Sequence, residues 1–352
     1  MPANAFSPRE LVFVIGRYCS VLVGALATAP VVLAHHSDAG IDMDAVIAFE
    51  GTITEFYWRN PHVYFTVETD ASGETVEWEV QLGPTNVISR RGWSRDSLAS
   101  GDRVTVRAHP SANGRPYGIL ESVDKEGGLN LSSTIAAPTE PAIATSLAGT
   151  WMADRMATFQ YPGGFDGFFT AQLSLTEKAV AAQAAYDPLS SENPEATCIG
   201  RPTPAAFVSS SIYLLEFEID EPGETIIIRS EYFDEERTVH MDGREHPPID
   251  QRYQTGHSVG RWDGDTLTVD TANFADHRSP YQIGVPSGAQ KRVVETYRLN
   301  DEGTAIVASF TLEDPEYLTE PMYHEREMLY SPHLEMFTSG CDPTATSRFL
   351  EQ

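Results

Sequence analysis

Alternating hydrophobic and polar residues run through most of the chain, and this period of two predicts β-strands. In the first third of the chain, the predicted strands are residues 46–56, 62–68, 75–82, 103–108 and 117–123. A short helix is predicted at residues 86–91, because Gly92 can adopt the left-handed conformation that ends a helix. Five strands with a helix after the third are typical of an OB-type barrel.

The same alternation predicts a second β-domain in the rest of the chain. Its predicted strands are residues 212–219, 225–232, 237–241, 257–262, 266–271, 292–299, 305–312 and 323–329. Ser174 and Glu177 form a capping box, which predicts one short helix that ends near Tyr186. About eight short strands with one helix favour a closed, lipocalin-like antiparallel barrel over a sandwich. The expected fold class is therefore all-β, with an OB-like five-stranded barrel followed by a lipocalin-like one.

The N-terminus has the pattern of a secretion signal. Arg9 and Arg17 precede the short apolar stretch 21–29, and small residues end at Ala34, so we expect cleavage after residue 34. An uncleaved membrane anchor is the alternative, but the stretch is short and Pro30 interrupts it. We expect a periplasmic or secreted protein with no transmembrane segment after cleavage. The expected organisation is signal peptide 1–34, OB-like domain 35–124, linker 125–146 and second barrel 147–352.

The charge and the cysteines restrict the class of protein. With 51 acidic and 24 basic residues the formal net charge is −27, which repels phosphate backbones, so we expect no nucleic-acid partner. Cleavage would remove Cys19 and leave Cys198 and Cys341. In an oxidising compartment this pair predicts one disulfide, and two unrelated buried thiols are the alternative.

A copper site is predicted at the start of the mature chain. Cleavage after residue 34 would leave His35 and then His36 at the N-terminus, and an N-terminal histidine offers an α-amine and a ring nitrogen to one metal ion. Copper(II) prefers such nitrogen ligands in a tetragonal arrangement. Alternation places His62 away from the core of the first barrel, so it is the candidate for the third ligand.

Candidate acid–base residues lie in the second domain. Asp242, Arg244 and His246 share one turn, and the next predicted hairpin carries three further residues, namely His257, Arg261 and Asp270. A histidine beside a carboxylate can transfer protons at neutral pH, and an arginine can stabilise negative charge. The alternative is a network of ion pairs on the outside of the barrel. Residues 256–260 match the Gly-x-Ser-x-Gly pattern, but a hairpin follows in place of a helix, which argues against a serine hydrolase.

Both domains resemble uncharacterised families of exported bacterial proteins. In the first domain the resemblance rests on His35-His36-Ser37, Trp58-Arg59-Asn60-Pro61-His62 and Gly92-Trp93-Ser94-Arg95-Asp96. In the second domain it rests on Asp242-Gly243-Arg244-Glu245-His246-Pro247 and Gly256-His257-Ser258-Val259-Gly260-Arg261-Trp262. The resemblance implies export and the domain boundaries, and it implies no reaction.

These observations support two functional hypotheses. The first is a periplasmic or secreted binding protein that holds a small apolar molecule in the second barrel and carries the copper site on the first. The second is an enzyme that uses the His and Asp residues of the second barrel as an isomerase, hydratase or hydrolase on a hydrophobic substrate. A third reading is an interaction module whose acidic surface docks a basic partner. The sequence does not decide whether the protein is an enzyme.

Overall fold

The structure is a computed structural model. It describes residues 41–42, 45–60, 62–71, 74–132, 142–154, 156–188, 190–220, 223–338 and 340–343. The described part of the chain is almost entirely β-structure, arranged as two closed barrels. The all-β prediction is therefore confirmed.

The first barrel contains five strands, and a sixth strand extends its sheet. The strands are β1 (Ile47–Tyr57), β2 (Tyr64–Ala71), β3 (Glu74–Gln81), β4 (Arg103–Pro110), β5 (Tyr117–Lys125) and β6 (Leu129–Ser132). Their order in the sheet is β3-β2-β1-β4-β5-β6, and a parallel pairing of β3 with β5 closes the barrel. Helix α1 (Thr85–Ser89) follows β3, as the sequence predicts. The strand β6 lies within the range predicted to be the linker.

The core of the first barrel follows the predicted alternation. Val63, Phe65 and Val67 are fully buried and contribute to one hydrophobic cluster. Strands β1 and β2 approach closely at Gly51, where a Cβ atom would lie 2.4 Å from the carbonyl oxygen of Glu68. Only glycine fits there without a shift of the backbone.

The second barrel has nine strands. They are β7 (Gly149–Ala153), β8 (Leu215–Ile219), β9 (Thr225–Ser230), β10 (Glu235–His240), β11 (His257–Asp263), β12 (Thr266–Ala272), β13 (Arg292–Leu299), β14 (Ala305–Glu313) and β15 (Met322–Tyr330). The order around the barrel is β10-β11-β12-β13-β14-β15-β7-β8-β9. Strand β7 is an addition to the eight predicted strands, and it pairs with both β15 and β8.

One pair of neighbouring strands in the second barrel is parallel. Val239 of β10 pairs with Ser258 of β11, and both strands run in the same direction. Parallel neighbours need a connection that crosses from one end of the sheet to the other. Residues 241–256 make this crossing, and their side chains are exposed or half-buried.

Short helices and irregular segments pack against the second barrel. The helices are α2 (Met156–Phe159), α3 (Gly164–Gln172), α4 (Glu177–Ala184) and α5 (Ala205–Ser209), of which α4 is the predicted one. The interior is filled with large side chains, and Trp151, Phe207, Phe217 and Phe310 are at most 1% exposed. Among the described residues, no helix is both long and apolar enough to cross a membrane.

A disulfide and a buried ion pair connect distant parts of the structure. Cys198 and Cys341 are bonded, with their Cα atoms 5.9 Å apart, which confirms the predicted bridge. Arg90, which directly follows helix α1, forms an ion pair with Glu231 of the second barrel. Their side chains are 3% and 0% exposed. The two barrels therefore share a buried electrostatic contact.

Candidate functional site

The acid–base residues predicted from the sequence lie on the outside of the second barrel. Ser258 and Val239 are buried on its inward face, so the neighbouring residues His257 and His240 point outward. The crossing segment 241–256 places His246 above them. The predicted residues therefore lie outside the barrel interior.

Three imidazole rings and a carboxylate form what we call the outer histidine cluster, namely His240, His246, His257 and Asp270. The Nδ1 atoms of His246 and His257 are 3.0 Å apart, so one of the two nitrogens donates to the other. The Nε2 atom of His246 is 3.6 Å from Oδ1 of Asp270. The rings of His240 and His257 have centroids 5.2 Å apart. Arg292 donates two hydrogen bonds to Asp270, of 2.8 and 2.5 Å.

The electrostatics of this cluster favour the neutral forms of His240 and His257 beside a charged carboxylate. Burial lowers the pKa of His257, and the neighbouring His246 and His240 lower it further. Burial alone would raise the pKa of Asp270, but its hydrogen bonds with Arg292 bring that pKa below its usual value. A neutral imidazole that contacts a second imidazole can relay a proton.

The other three predicted residues are not part of this chain of contacts. Asp242 and Arg244 are bound to each other through hydrogen bonds of 2.9 and 3.0 Å from Nε of Arg244. This pairing lowers the pKa of Asp242 to about 2. Arg261 is exposed, and within the described part of the chain it makes no hydrogen bond or ion pair. The structure therefore brings together His246, His257 and Asp270.

The predicted copper ligands are described only in part. His35 and His36 lie outside the described residues. His62 is half-buried, and its Nδ1 atom is 3.2 Å from the carbonyl oxygen of Leu82. In the ranges that the structure covers, no group of three or more His, Cys, Asp or Glu side chains is arranged to hold a metal ion.

A second group of charged residues lies inside the second barrel, at the end where β10 and β13 begin. Val293 is fully buried and points inward, so the residues two positions before and after it, Lys291 and Glu295, share its face. Arg237 and Glu235 occupy the corresponding inward positions of β10. We call Glu235, Arg237, Lys291 and Glu295, with Tyr281, Ser287 and Asp314 nearby, the interior polar end.

An ion pair at the interior polar end is fully hydrogen-bonded. Arg237 donates from Nη1 to Oε2 of Glu295 over 2.5 Å and from Nη2 to Oε1 over 3.1 Å. Thr203 and Tyr297 donate to the same carboxylate over 2.7 and 2.9 Å. Arg237 also donates to Thr271 over 2.8 Å. The carboxylate of Glu295 therefore accepts four hydrogen bonds.

Other polar atoms at this end have no hydrogen-bond partner. Within the described ranges, these atoms are Nζ of Lys291, Oε1 of Glu235, OH of Tyr281, Oγ of Ser287 and Oδ1 of Asp314. Lys291 and Tyr281 are 1% and 0% exposed. Buried polar atoms are nearly always paired in native proteins, so a group of unpaired ones indicates a place for a ligand or for ordered water.

Burial changes the protonation of these groups. It raises the pKa of Glu235 to about 8, although the nearby Arg237 and Lys291 oppose this shift. It lowers the pKa of Lys291 to about 7, against the opposing effect of Asp314, Glu235 and Glu295. The raised pKa favours the protonated form of Glu235, which can donate a hydrogen bond. The unpaired groups are then mostly donors.

A small cavity lies at the interior polar end. Its wall combines the apolar side chains of Ala206, Phe207, Leu215 and Ile228 with the polar ones of Thr203, Ser230, Glu235, Arg237, Thr255, Glu295 and Tyr297. The space that a water-sized sphere can occupy is about 20 Å³, which is enough for one or two water molecules. A larger molecule can enter only if the side chains that cover this end of the barrel move.

His277, in a segment that packs near this end, gives the fold a predictable dependence on pH. Its Nε2 is 3.1 Å from the carbonyl oxygen of Gly200, and its Nδ1 accepts from the backbone N–H of Ser279 over 3.1 Å. A protonated Nδ1 could not accept this hydrogen bond. Burial, together with nearby cations, lowers the pKa of His277 from 6.5 to about 3. The imidazole binds a proton more tightly in the unfolded chain than in the folded one. Neutral His277 therefore stabilises the folded state fully above pH 6.5, and this stabilisation is lost as the pH falls toward 3.

We therefore expect His277 alone to lower the free energy of unfolding by about 2 kcal/mol between pH 7 and pH 5. Urea denaturation at both pH values measures this change. His277→Gln should flatten the dependence, whereas His333→Gln, at an exposed position, should leave it unchanged. Equal pH dependence in wild type and His277→Gln would refute the assignment.

The interior polar end is not among the sites predicted from the sequence, although the sequence contains a signal for it. In the run Lys291, Val293, Glu295 and Tyr297, every second residue shares one face of the strand. Val293 and Tyr297 mark that face as the buried one, so two charged residues were predictable inside the barrel. Buried charges are costly and are most often found at functional sites.

Part of the chain matches the model of a known protein family. The model of a family of unknown function (DUF6152) matches residues 23–121, a stretch that includes most of the first barrel. None of the curated proteins matches the chain. The first domain thus resembles an uncharacterised family. The resemblance of the second domain to another such family stays a prediction.

Proposed function

We propose that this protein is an exported binding protein whose second barrel holds one small molecule at the interior polar end. The ligand would have an apolar body and an oxygen-bearing head group. The observation that carries this proposal is the group of buried, unpaired polar atoms at this end, one of which, Oε1 of Glu235, belongs to a residue that lines the cavity with its apolar wall.

The apolar wall supports a hydrophobic ligand body. Phe207, Leu215 and Ile228 line one side of the cavity and are nearly fully buried. Contact with such side chains removes apolar ligand surface from water, which favours binding by roughly 25 cal/mol per Å². This part of the proposal keeps the small apolar ligand expected from the sequence.

The unpaired donors support an oxygen-bearing head group. Lys291, Tyr281 and Ser287 carry donor groups without a partner, and the protonated carboxyl of Glu235 adds another. A carboxylate or carbonyl oxygen accepts hydrogen bonds and donates none, so it complements these groups. An ammonium head group would meet donors and would leave them unpaired.

Hexanoate is a suitable probe for this proposal, because it joins a short apolar chain to a carboxylate. We expect saturable binding of hexanoate by isothermal titration calorimetry and weaker binding, by about tenfold or more, of hexylamine, its cationic counterpart. Lys291→Met should weaken hexanoate binding by a similar factor. Lys178→Met, at an exposed position on helix α4, and His257→Ala, in the outer histidine cluster, should bind hexanoate as the wild type does.

Two results would contradict the proposal. One is the absence of saturable hexanoate binding at millimolar concentration. The other is unchanged hexanoate affinity in Lys291→Met together with weaker binding in His257→Ala, which would move the ligand to the outside of the barrel.

Acid–base catalysis by the outer histidine cluster is the second candidate function. The 3.0 Å contact between His246 and His257, with Asp270 next to His246, favours it. Binding is the better-supported proposal, because these side chains lie outside the barrel, whereas unpaired donors lie inside it. An activity that is lost in His257→Ala and kept in Lys291→Met would reverse this preference.

The copper site is a separate part of the proposal and concerns the first barrel. A carbonyl oxygen close to one ring nitrogen of a histidine orients the ring and leaves the lone pair on the other nitrogen. The carbonyl oxygen of Leu82 is 3.2 Å from Nδ1 of His62, and a hydrogen bond there would direct a metal ion to Nε2. His35 and His36 would supply the remaining nitrogens after cleavage.

We expect the processed protein to bind one copper(II) ion per chain with a tetragonal electron paramagnetic resonance spectrum. His35→Ala and His62→Ala should each weaken or alter this signal, and His333→Ala should not. Intact-mass analysis must first establish that the chain begins at His35. Absence of bound copper, or a spectrum unchanged in His35→Ala, would remove the copper proposal.

A further inference from the structure

We propose that Lys291 is a nucleophile that captures a small aldehyde or ketone as an imine at the interior polar end. This inference rests on the proposed binding function and goes further, because it assigns a covalent step and a carbonyl class of ligand to the site.

The side-chain amine of Lys291 is shielded from water. Its Nζ atom lies 4.3 Å from the ring centroid of Phe274 and 5.3 Å from that of Tyr281. The residue is 1% exposed, and within the described chain Nζ has no hydrogen-bond partner. Within the described residues Nζ is bonded to no carboxylate, whereas the nearby buried Arg237 is bonded to Glu295.

The electrostatics favour the reactive form of this amine. Asp314, Glu235 and Glu295 all raise the pKa of Lys291, but burial outweighs them and lowers it to about 7. A substantial fraction of the side chain is then unprotonated at neutral pH. Desolvated lysines of this kind are the ones that form imines with carbonyl compounds.

The proposed step balances without a further reactant. The Nζ lone pair attacks the carbonyl carbon, a C–N bond forms, and one proton moves from Nζ to the carbonyl oxygen to give a carbinolamine. The C–O bond then breaks, and the oxygen leaves as water with the second proton of Nζ. The products are a neutral imine and one water molecule, and no electron is gained or lost.

Neighbouring groups can carry the protons in this step. The hydroxyl of Tyr281 and Oδ1 of Asp314 are unpaired within the described residues. Asp314 also accepts a hydrogen bond of 2.8 Å from the backbone N–H of Gly288, which fixes its carboxyl group. Burial raises the pKa of Asp314, so it can exchange a proton closer to neutral pH than an exposed aspartate can.

The composition of the chain makes the proposal easy to test, because it contains only three lysines, Lys125, Lys178 and Lys291. Lys125 is paired with Asp102 over 2.7 Å. Lys178 is exposed and paired with Glu316, which raises its pKa. These two lysines are internal controls for an amine in ordinary surroundings.

The experiment traps the imine by reduction. The full chain is incubated at pH 7 with hexanal and sodium cyanoborohydride, and the hexylated residues are located by peptide mass spectrometry. We expect Lys291 to be modified about tenfold or more faster than Lys125 and Lys178, with a rate that rises through pH 7. Prior addition of hexanoate should slow the modification of Lys291 and leave the other two lysines unaffected.

Lys291→Arg is the control for the amine. It keeps a cation but has no nucleophilic amine, so trapping at residue 291 should be lost, and hexanoate binding by the wild type separates this inference from the binding function. Modification confined to Lys125, Lys178 and the N-terminal amine in the wild type would overturn the inference. If hexanoate still binds in that case, the proposed function stands without the covalent step.

Discussion

Replacement of both disulfide cysteines, Cys198→Ser with Cys341→Ser, is expected to lower the free energy of unfolding by about 3 to 5 kcal/mol. The bridge joins residues 143 positions apart. A crosslink that closes a loop of this length strongly reduces the entropy of the unfolded chain. In the chain-entropy model this reduction stabilises the folded state by about 5 kcal/mol. Urea denaturation, followed by tryptophan fluorescence, measures the change.

The bridge also fixes a C-terminal segment against the second barrel. Phe337 donates its backbone N–H to Glu231 over 2.9 Å, and Gly340 donates to Asp234 over 3.2 Å. Reduction of the wild-type protein with dithiothreitol is the matched control and should give the same loss as the double substitution. A loss below about 1 kcal/mol in both experiments would show that the unfolded chain is not constrained by the bridge.

Breaking the interior ion pair should have a comparable effect on stability. Glu295→Leu would leave the buried guanidinium of Arg237 without its carboxylate and would remove the acceptor of Thr203 and Tyr297. Loss of one partner of a buried pair costs about 3 to 5 kcal/mol, because an uncompensated charge stays in the interior. We expect a loss of this size in urea denaturation at pH 7.

The double variant Arg237→Met with Glu295→Leu tests the cause of that loss. If the penalty comes from the unpaired charge, the double variant should recover most of the stability lost in Glu295→Leu. Arg229→Met is the matched control, since it removes an arginine from exposed ion pairs with Glu216 and Glu236. That substitution should cost less than about 1 kcal/mol. Additive losses in the double variant would argue that packing, and not charge, sets the effect.

The positions of the two polar groups explain why binding is the leading proposal. The outer histidine cluster is partly open to solvent, and its carboxylate is already paired with Arg292. The interior polar end combines unpaired polar atoms, side chains with altered pKa values and a cavity with an apolar wall, which Glu235 also lines. Only the second combination has the features of a ligand site.

Local patterns predicted most of the strands correctly. Alternation placed Val63, which directly precedes β2, and Phe65 and Val67 of β2 on one face, and all three are fully buried. The short strand β7 was missed, since Gly149–Ala153 has only five residues and little alternation of its own. It becomes a strand because it closes the barrel between β15 and β8.

The candidate site was predictable only in part. The sequence grouped His246 with His257 and Asp270 of the next hairpin as candidate acid–base residues, and the three side chains do lie together. The side of the barrel on which they lie was not evident, because no local pattern showed that the segment 241–256 crosses between parallel strands. That crossing places the cluster outside.

The sequence by itself determined the β-rich character of both domains and the approximate course of most strands, because these depend on local periodicity. Barrel closure, the parallel β10–β11 pair and the meeting of Lys291, Asp314 and Glu235 at one end depend on contacts between residues far apart in the chain. Such contacts form only when the strands close around a common core, so tertiary structure alone decided where the charged groups are buried.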